Sequence, residues 1–284
     1  YPEQYEDFID YLNPINVDIG SILSYACILT TSFYDRLIVA TIGPVAGLGT
    51  LAVTAERTIL RKHISVVLFV AFFIYSSVSF TIFQTFVCDK LDDGVTYLRA
   101  DYSLTCTTAE HSAYQVYASI MVLVYPVGIP AFFSWWLFRN QYDLQKPDRE
   151  SMAHLAAWGG LWAAYKPSRF FFEVVECARR IALTGVAVFI LPDSAAQIAI
   201  VLLLAVAFSF ISESSAPFKD PIDTGLYRWG NGVVLASMYV ALLLKFDVHD
   251  EDDQALPAFV GVLIAANVFM VITVIVQSVL MAKA

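Results

Sequence analysis

Long apolar runs constrain this chain more than any other feature. A bilayer's hydrocarbon core is about 30 Å thick, and a helix rising about 1.5 Å per residue crosses it in roughly 20 apolar residues. Seven stretches approach or exceed that length: residues 37–55, 64–87, about 113–138, 170–191, 194–212, about 229–246 and about 257–281. Composition agrees. Of 284 residues, 58% are hydrophobic and 15% charged, where a soluble domain carries about a quarter charged. The expectation is an all-α fold, a polytopic transmembrane helix bundle of about seven spans. Lipid is the implied partner, with homo-oligomeric or other membrane-complex partners beside it. The net charge of −9 argues against nucleic acid, which a basic patch normally recognises.

Orientation follows from Lys and Arg, which concentrate in cytoplasmic loops. Arg57, Arg61 and Lys62 follow the first run. Arg139, Lys146, Arg149, Lys166 and Arg169 follow the third, and Lys219 and Arg228 the fifth. The alternate connections are poor in basic residues. This pattern predicts an outer N-terminus, a cytosolic C-terminus, and residence in the plasma membrane or a secretory-pathway membrane. Residues 1–36 are acidic and aromatic, and read as an extracellular or lumenal amphipathic segment ahead of a membrane domain over 37–284. The chain begins at Tyr1 with no visible signal peptide, so preceding sequence is expected.

Cys88 and Cys106 bracket an outer loop, CDKLDDGVTYLRADYSLTC. On that side oxidation is permitted. The pair reads either as a disulfide closing a lid over the second and third runs or as two unpaired thiols, and Cys27 competes for a partner. Cys177 reads as a small buried apolar residue. The histidines are dispersed and none of the cysteines has CxxC spacing, so no metal site is expected.

The fourth run, FFFEVVECARRIALTG, carries charge where lipid tolerates little. At about 100° per residue, Arg169, Glu173, Glu176 and Arg180 fall within roughly a 60° arc, with Arg179 off it. Spacings of four, three and four predict the pairs Arg169–Glu173 and Glu176–Arg180. A stripe of alternating sign neutralises itself. It reads as an ion-paired seam against a neighbouring helix or as the lining of a water-filled gate.

Other features are softer. YPVGIP, with Pro126, Gly128 and Pro130, predicts a kink or break in the third run, and Pro44 a milder one in the first. Asp247, Asp250, Glu251, Asp252 and Asp253 form an outer acidic run, a solvated loop or weak cation site without EF-hand spacing. Residues 151–169 are amphipathic enough for a cytosolic interfacial helix. Lys245 lies at the end of the sixth run, which disfavours a retinal Schiff base. No nucleotide-binding, hydrolase or zinc-protease motif is present, so no enzyme activity and no cofactor are expected.

The segments FVCDKLDDGVTYLRADYSLTC, VLVYPVGIPAFFSWWLF and FFFEVVECARRIALTG resemble the C-terminal membrane region of a group of multipass proteins from oomycetes, diatoms, dinoflagellates and other protists. That region is described as transient-receptor-potential-like (TRP-like). DYLNPINVDIGSILSYAC and SAPFKDPIDTGL fit the same group, so the likeness covers most of the chain. The resemblance implies a cation channel or a channel-associated subunit. A non-conducting scaffold subunit of a larger membrane complex is the alternative. A seven-span receptor is a third reading, disfavoured because DRY and NPxxY are missing from the expected places.

Overall fold

The computed structural model describes residues 32–54, 57–92, 94–190 and 194–245, with 264–265, 268–269, 272–273 and 276. The chain divides into two units, 14–189 and 190–284 joined by 1–13.

In the first unit, α1 (Phe33–Thr54) is capped by Ser32. The Tyr34 N–H donates to Ser32 Oγ and the Ser32 N–H to Asp35 Oδ2, at 3.1 Å each. These bonds satisfy donors that a helix start leaves open. α2 (Arg57–Gln84) begins earlier than its apolar run, so Arg57, Arg61 and Lys62 are helical, not part of a loop. Pro44 lies inside α1.

Past α2 the chain forms a small antiparallel sheet of β1 (Cys88–Lys90), β2 (Thr96–Leu98) and β3 (Asp101–Thr105), in the order β1-β2-β3. Cys88 pairs with Leu98 and Lys90 with Thr96, and the β2–β3 register slips between Tyr97 and Leu98. Gly94 takes φ 77° in the β1–β2 turn, a left-handed conformation that costs glycine little. The Arg99 guanidinium clamps Asp89, which also accepts from Tyr102 Oη at 2.9 Å. The Cys88–Cys106 disulfide closes the sheet. Asp101 ties it to α1 by accepting the Phe33 N–H at 3.2 Å.

α3 (Ala109–Val122), a π-helical segment (Leu123–Gly128) and α4 (Ile129–Arg139) follow as one long helix. The prolines therefore widen the helix; they do not break it. The chain then turns through α5 (Gln141–Leu144), a 3₁₀ turn (Arg149–Ser151), α6 (Ala153–Ala156) and 3₁₀ turns at Gly159–Leu161 and Pro167–Arg169. This replaces the expected interfacial helix over 151–169. Gly159–Gly160 and Pro167 interrupt it, and Leu155, Leu161 and Trp162 are buried.

α7 (Phe172–Thr184) has 13 residues, a length of about 20 Å. It passes through Gly185 into a 3₁₀ turn (Val186–Phe189). Gly185 is sterically required, since an added Cβ would lie 2.2 Å from the Phe83 ring. Two core clusters hold this unit. One gathers Leu68, Tyr75, Phe133, Trp136, Leu137 and Cys177 with the 140–170 segment. The other gathers Phe33, Leu37, Val78, Ile82, Leu98 and Ala118 beneath the sheet.

In the second unit, α8 (Ala195–Ser215) starts at Ser194, whose Oγ accepts the Gln197 N–H, and ends at Ala216 in the left-handed region. α9 (Pro221–Lys245) packs against α8. It starts eight residues before the apolar run, because Asp220 Oδ1 accepts the Ile222 N–H at 2.8 Å and proline suits the first helical position. Arg228 on α9 grips Glu213 on α8 through both carboxylate oxygens.

The expectation of an all-α bundle of about seven spans is thus corrected. A three-stranded sheet occupies residues 88–105. Among the described residues, only Ala109–Arg139 and Ala195–Ser215 are helices long and apolar enough to cross a membrane. The fourth run fails because its α-helix has only 13 residues before the chain passes at Gly185 into the 3₁₀ turn. The expected seventh run lies largely outside the described residues, as do most of 1–36, Cys27 and the acidic run Asp247, Asp250, Glu251, Asp252 and Asp253.

Candidate functional site

The charged residues of α7, Glu173, Glu176, Arg179 and Arg180, lie outside both candidate spans, the two acids in the helix's N-terminal half. Glu173 and Glu176 are buried there, beside Cys177. Their partners differ from those the spacing predicts. Glu173 accepts a 2.7 Å hydrogen bond from Tyr165 Oη, not from Arg169. Arg169 closes the 3₁₀ turn one residue before the bend into α7. Glu176 is held through both oxygens by Arg179, at 3.0–3.1 Å. Arg180 instead lies over the Phe72 ring of α2, 3.8 Å from its centroid. A guanidinium gains from that stacking without a carboxylate.

Burial is the main force on the Glu173 carboxyl and pushes its pKa up to about 7; the Tyr165 hydrogen bond and the Arg180 charge act against the rise, and the Glu176 charge adds to it. Burial also pushes the Cys177 thiol up to about 12. A thiol so disfavoured as thiolate is a poor nucleophile. The cluster can pack and hold charge. It has no activated nucleophile for covalent chemistry.

Sequence reading missed the residue that organises this site. Arg149, in the 3₁₀ turn after α5, is 1% exposed. Its guanidinium donates to the Leu144 carbonyl at 3.1 Å and to the Tyr165 carbonyl, and stacks on Trp162 at 4.7 Å. Tyr165 therefore joins Arg149 to Glu173. Lysine-and-arginine counting treats Arg149 as one more loop charge; the Trp-rich, Gly-Gly-containing segment around it was the available signal.

The kink residues form a second polar connection. Pro126 lies in the π segment and Gly128 ends it, while Pro130 is in the first turn of α4. Tyr75 Oη of α2 donates to the Pro126 carbonyl at 3.2 Å. Tyr125 Oη donates to the Thr41 carbonyl of α1 at 2.5 Å, and Thr41 Oγ1 meets Tyr117 Oη at 2.6 Å. A hydroxyl from a neighbouring helix thus occupies a backbone acceptor at the widened turn, and the turn's own Tyr125 hydroxyl reaches back to α1. Pro44, three residues past Thr41, is half-buried.

At the other end, Cys88 and Cys106 are joined. His111, expected to be isolated, is buried beside them with Nε2 3.7 Å from Cys88 Sγ. Its Nδ1 meets Tyr34 Oη at 2.9 Å, and Tyr34 stacks on Tyr114.

Compared with family models, curated proteins and solved structures, the chain matches none.

Proposed function

We propose that this chain is a membrane-embedded helical module acting as a structural subunit of a membrane assembly, with the α7 charges as a packing seam. One observation carries the membrane reading. Val116, Ile120, Leu123, Val124, Val127, Phe132, Trp135 and Phe138 are all exposed along one helix, with Val116, Leu123 and Trp135 above 60%. From Val116 to Phe138 the helix covers about 33 Å, close to the hydrocarbon thickness. Monomeric soluble proteins rarely leave so long an apolar strip in water. Thr108 and Glu110 precede it, and Arg139 and Asn140 follow it.

The seam reading rests on burial. Glu173 and Glu176 are covered by protein, and each already has a partner within the fold. The test uses single fluorophores at positions 120, 127 and 118 of the chain in bilayers containing brominated lipid. Quenching at 120 and 127 but not at the buried position 118 supports the membrane reading. Equal quenching at all three, or at none, would overturn it.

The second reading is the TRP-like one, a cation channel or channel-associated subunit in a plasma or secretory-pathway membrane. What favours it is the π-helical segment braced by Tyr75, since such widened turns recur at functional sites. Planar-bilayer recordings decide it. Cation current altered by Tyr75→Phe supports conduction, and silence under voltage, tension and calcium sinks it.

A further inference from the structure

Cys88, Cys106 and His111 each present one ligand atom, and the three lie within 4.8 Å of one another. They come from three elements: the start of β1, the residue after β3, and the first turn of α3. Thr108 fixes the last of these, its Oγ1 accepting the His111 N–H at 3.1 Å. Tyr34 meets Nδ1, so the ring turns Nε2 toward sulfur. In the tautomer with Nδ1–H donating to Tyr34 Oη, the Nε2 lone pair faces Cys88. A histidine anchored through its second nitrogen in this way is the usual arrangement around a metal.

The distances suit a thiophilic ion. With Zn–S about 2.3 Å and Zn–N about 2.0–2.1 Å, tetrahedral geometry puts sulfur and nitrogen ~3.6 Å apart. Cys88 Sγ and His111 Nε2 are 3.7 Å apart. Two thiolates on one such ion stand ~3.8 Å apart, so only Cys106 Sγ has to swing away from its bonded position.

We propose that the dithiol form of this corner binds a zinc-class cation through Cys88, Cys106 and His111, and that the disulfide form does not. The two states exchange by balanced chemistry. A dithiol reductant supplies two electrons and two protons, the S–S bond breaks, and two thiols and the reductant's own disulfide result. Zn²⁺ binding then displaces one proton from each thiol, while His111 binds as the neutral ring. Three protein ligands leave a fourth position for water or an incoming group. Binding stabilises the reduced state, so the metal raises the fraction of chains with the bond open.

The experiment uses the full chain in detergent micelles with Cys27→Ser and Cys177→Ala, which removes the other two thiols. Oxidised and reduced samples are titrated with Zn²⁺ against a chromophoric chelator, with helicity followed by circular dichroism. Co²⁺ serves as the spectroscopic probe. The expected result is one Zn²⁺ per reduced chain, release of two protons, thiolate-to-Co²⁺ charge-transfer absorption, and at least a hundredfold weaker uptake when oxidised. His111→Ala is expected to weaken binding to the reduced chain by at least tenfold. Tyr34→Phe, which keeps the stacked ring, is expected to weaken it by about 10–100-fold. Equal uptake in both redox states, unchanged affinity in His111→Ala, or loss of helicity on reduction that Zn²⁺ does not restore would each overturn the proposal.

Discussion

Replacing both Cys88 and Cys106 with serine opens the ring that fastens β1 to the end of β3. The two residues are 18 apart in sequence. For a loop of about 18 residues, the chain-entropy relation gives about 11 cal/mol/K, or about 3 kcal/mol at ~25 °C. The remaining contacts cannot offset that loss. β1 and β2 have three residues each. The Arg99–Asp89 pair is partly exposed, and such pairs contribute about 0–1 kcal/mol. The sheet also positions Asp101 against the first N–H of α1, so disorder should spread to that helix end. Equilibrium unfolding in mixed micelles of increasing SDS fraction, followed by circular dichroism, measures the change. The double serine variant should lose about 2–4 kcal/mol, and reducing the native chain should lose a similar amount. Hydrogen exchange at the Phe33 amide should accelerate in both. A loss below about 1 kcal/mol, with Phe33 protection intact, would refute the view that the covalent ring holds this corner.

Three further outcomes are expected. Gly185→Ala should destabilise by about 1–3 kcal/mol through overpacking on Phe83, and Phe83→Leu in the same chain should recover part of it; additive losses in a double-mutant cycle would show the two sites uncoupled. Arg99 is the main cause holding the Asp89 carboxyl below its usual range. The contribution of that pair is therefore complete above the ordinary aspartate value and lost as pH falls through the lower folded-state value. An acid titration of unfolding should show this loss below about pH 4, and Arg99→Gln should remove it. Glu176→Gln breaks the doubly bonded contact with Arg179 and should cost about 2 kcal/mol. Unchanged stability with altered bilayer conductance would instead favour a gate.

The apolar runs located most helices because segregation from water depends on composition alone. Their ends were harder to read. α7 gives way to a 3₁₀ turn at Gly185, which packs on Phe83 about a hundred residues away in sequence, and Asp220 starts α9 inside a stretch that hydropathy treats as loop. The sheet was nearly invisible, since strands of three to five residues carry too little alternation; the Asp93–Gly94 dipeptide was the available turn signal. The projection of α7 gathered Glu173, Glu176 and Arg180 but misassigned their partners. Spacings of three and four both allow pairing, and Phe72 on another helix decided between Arg179 and Arg180. The disulfide was legible as one of two possibilities. His111 was not, although TAEH places it one turn into a capped helix, five residues after Cys106.

The π-helical segment also sets the phase of the long helix. Buried residues recur at His111, Ala118 and Tyr125, every seventh position; Pro126 is buried beside Tyr125, and Phe133 follows it seven further on, eight past Tyr125. One surplus residue has been absorbed in the wide turn. Without that slack, α4 would be rotated by about 100°, and Phe133 and Leu137 would swing away from the core while Phe132 and Trp135 moved toward it. The widened turn thus works as a splice that keeps two differently registered halves facing the same way. Deleting one residue between Leu123 and Gly128 should restore a continuous seven-residue repeat and leave both buried faces in place, whereas deleting one on either side should not.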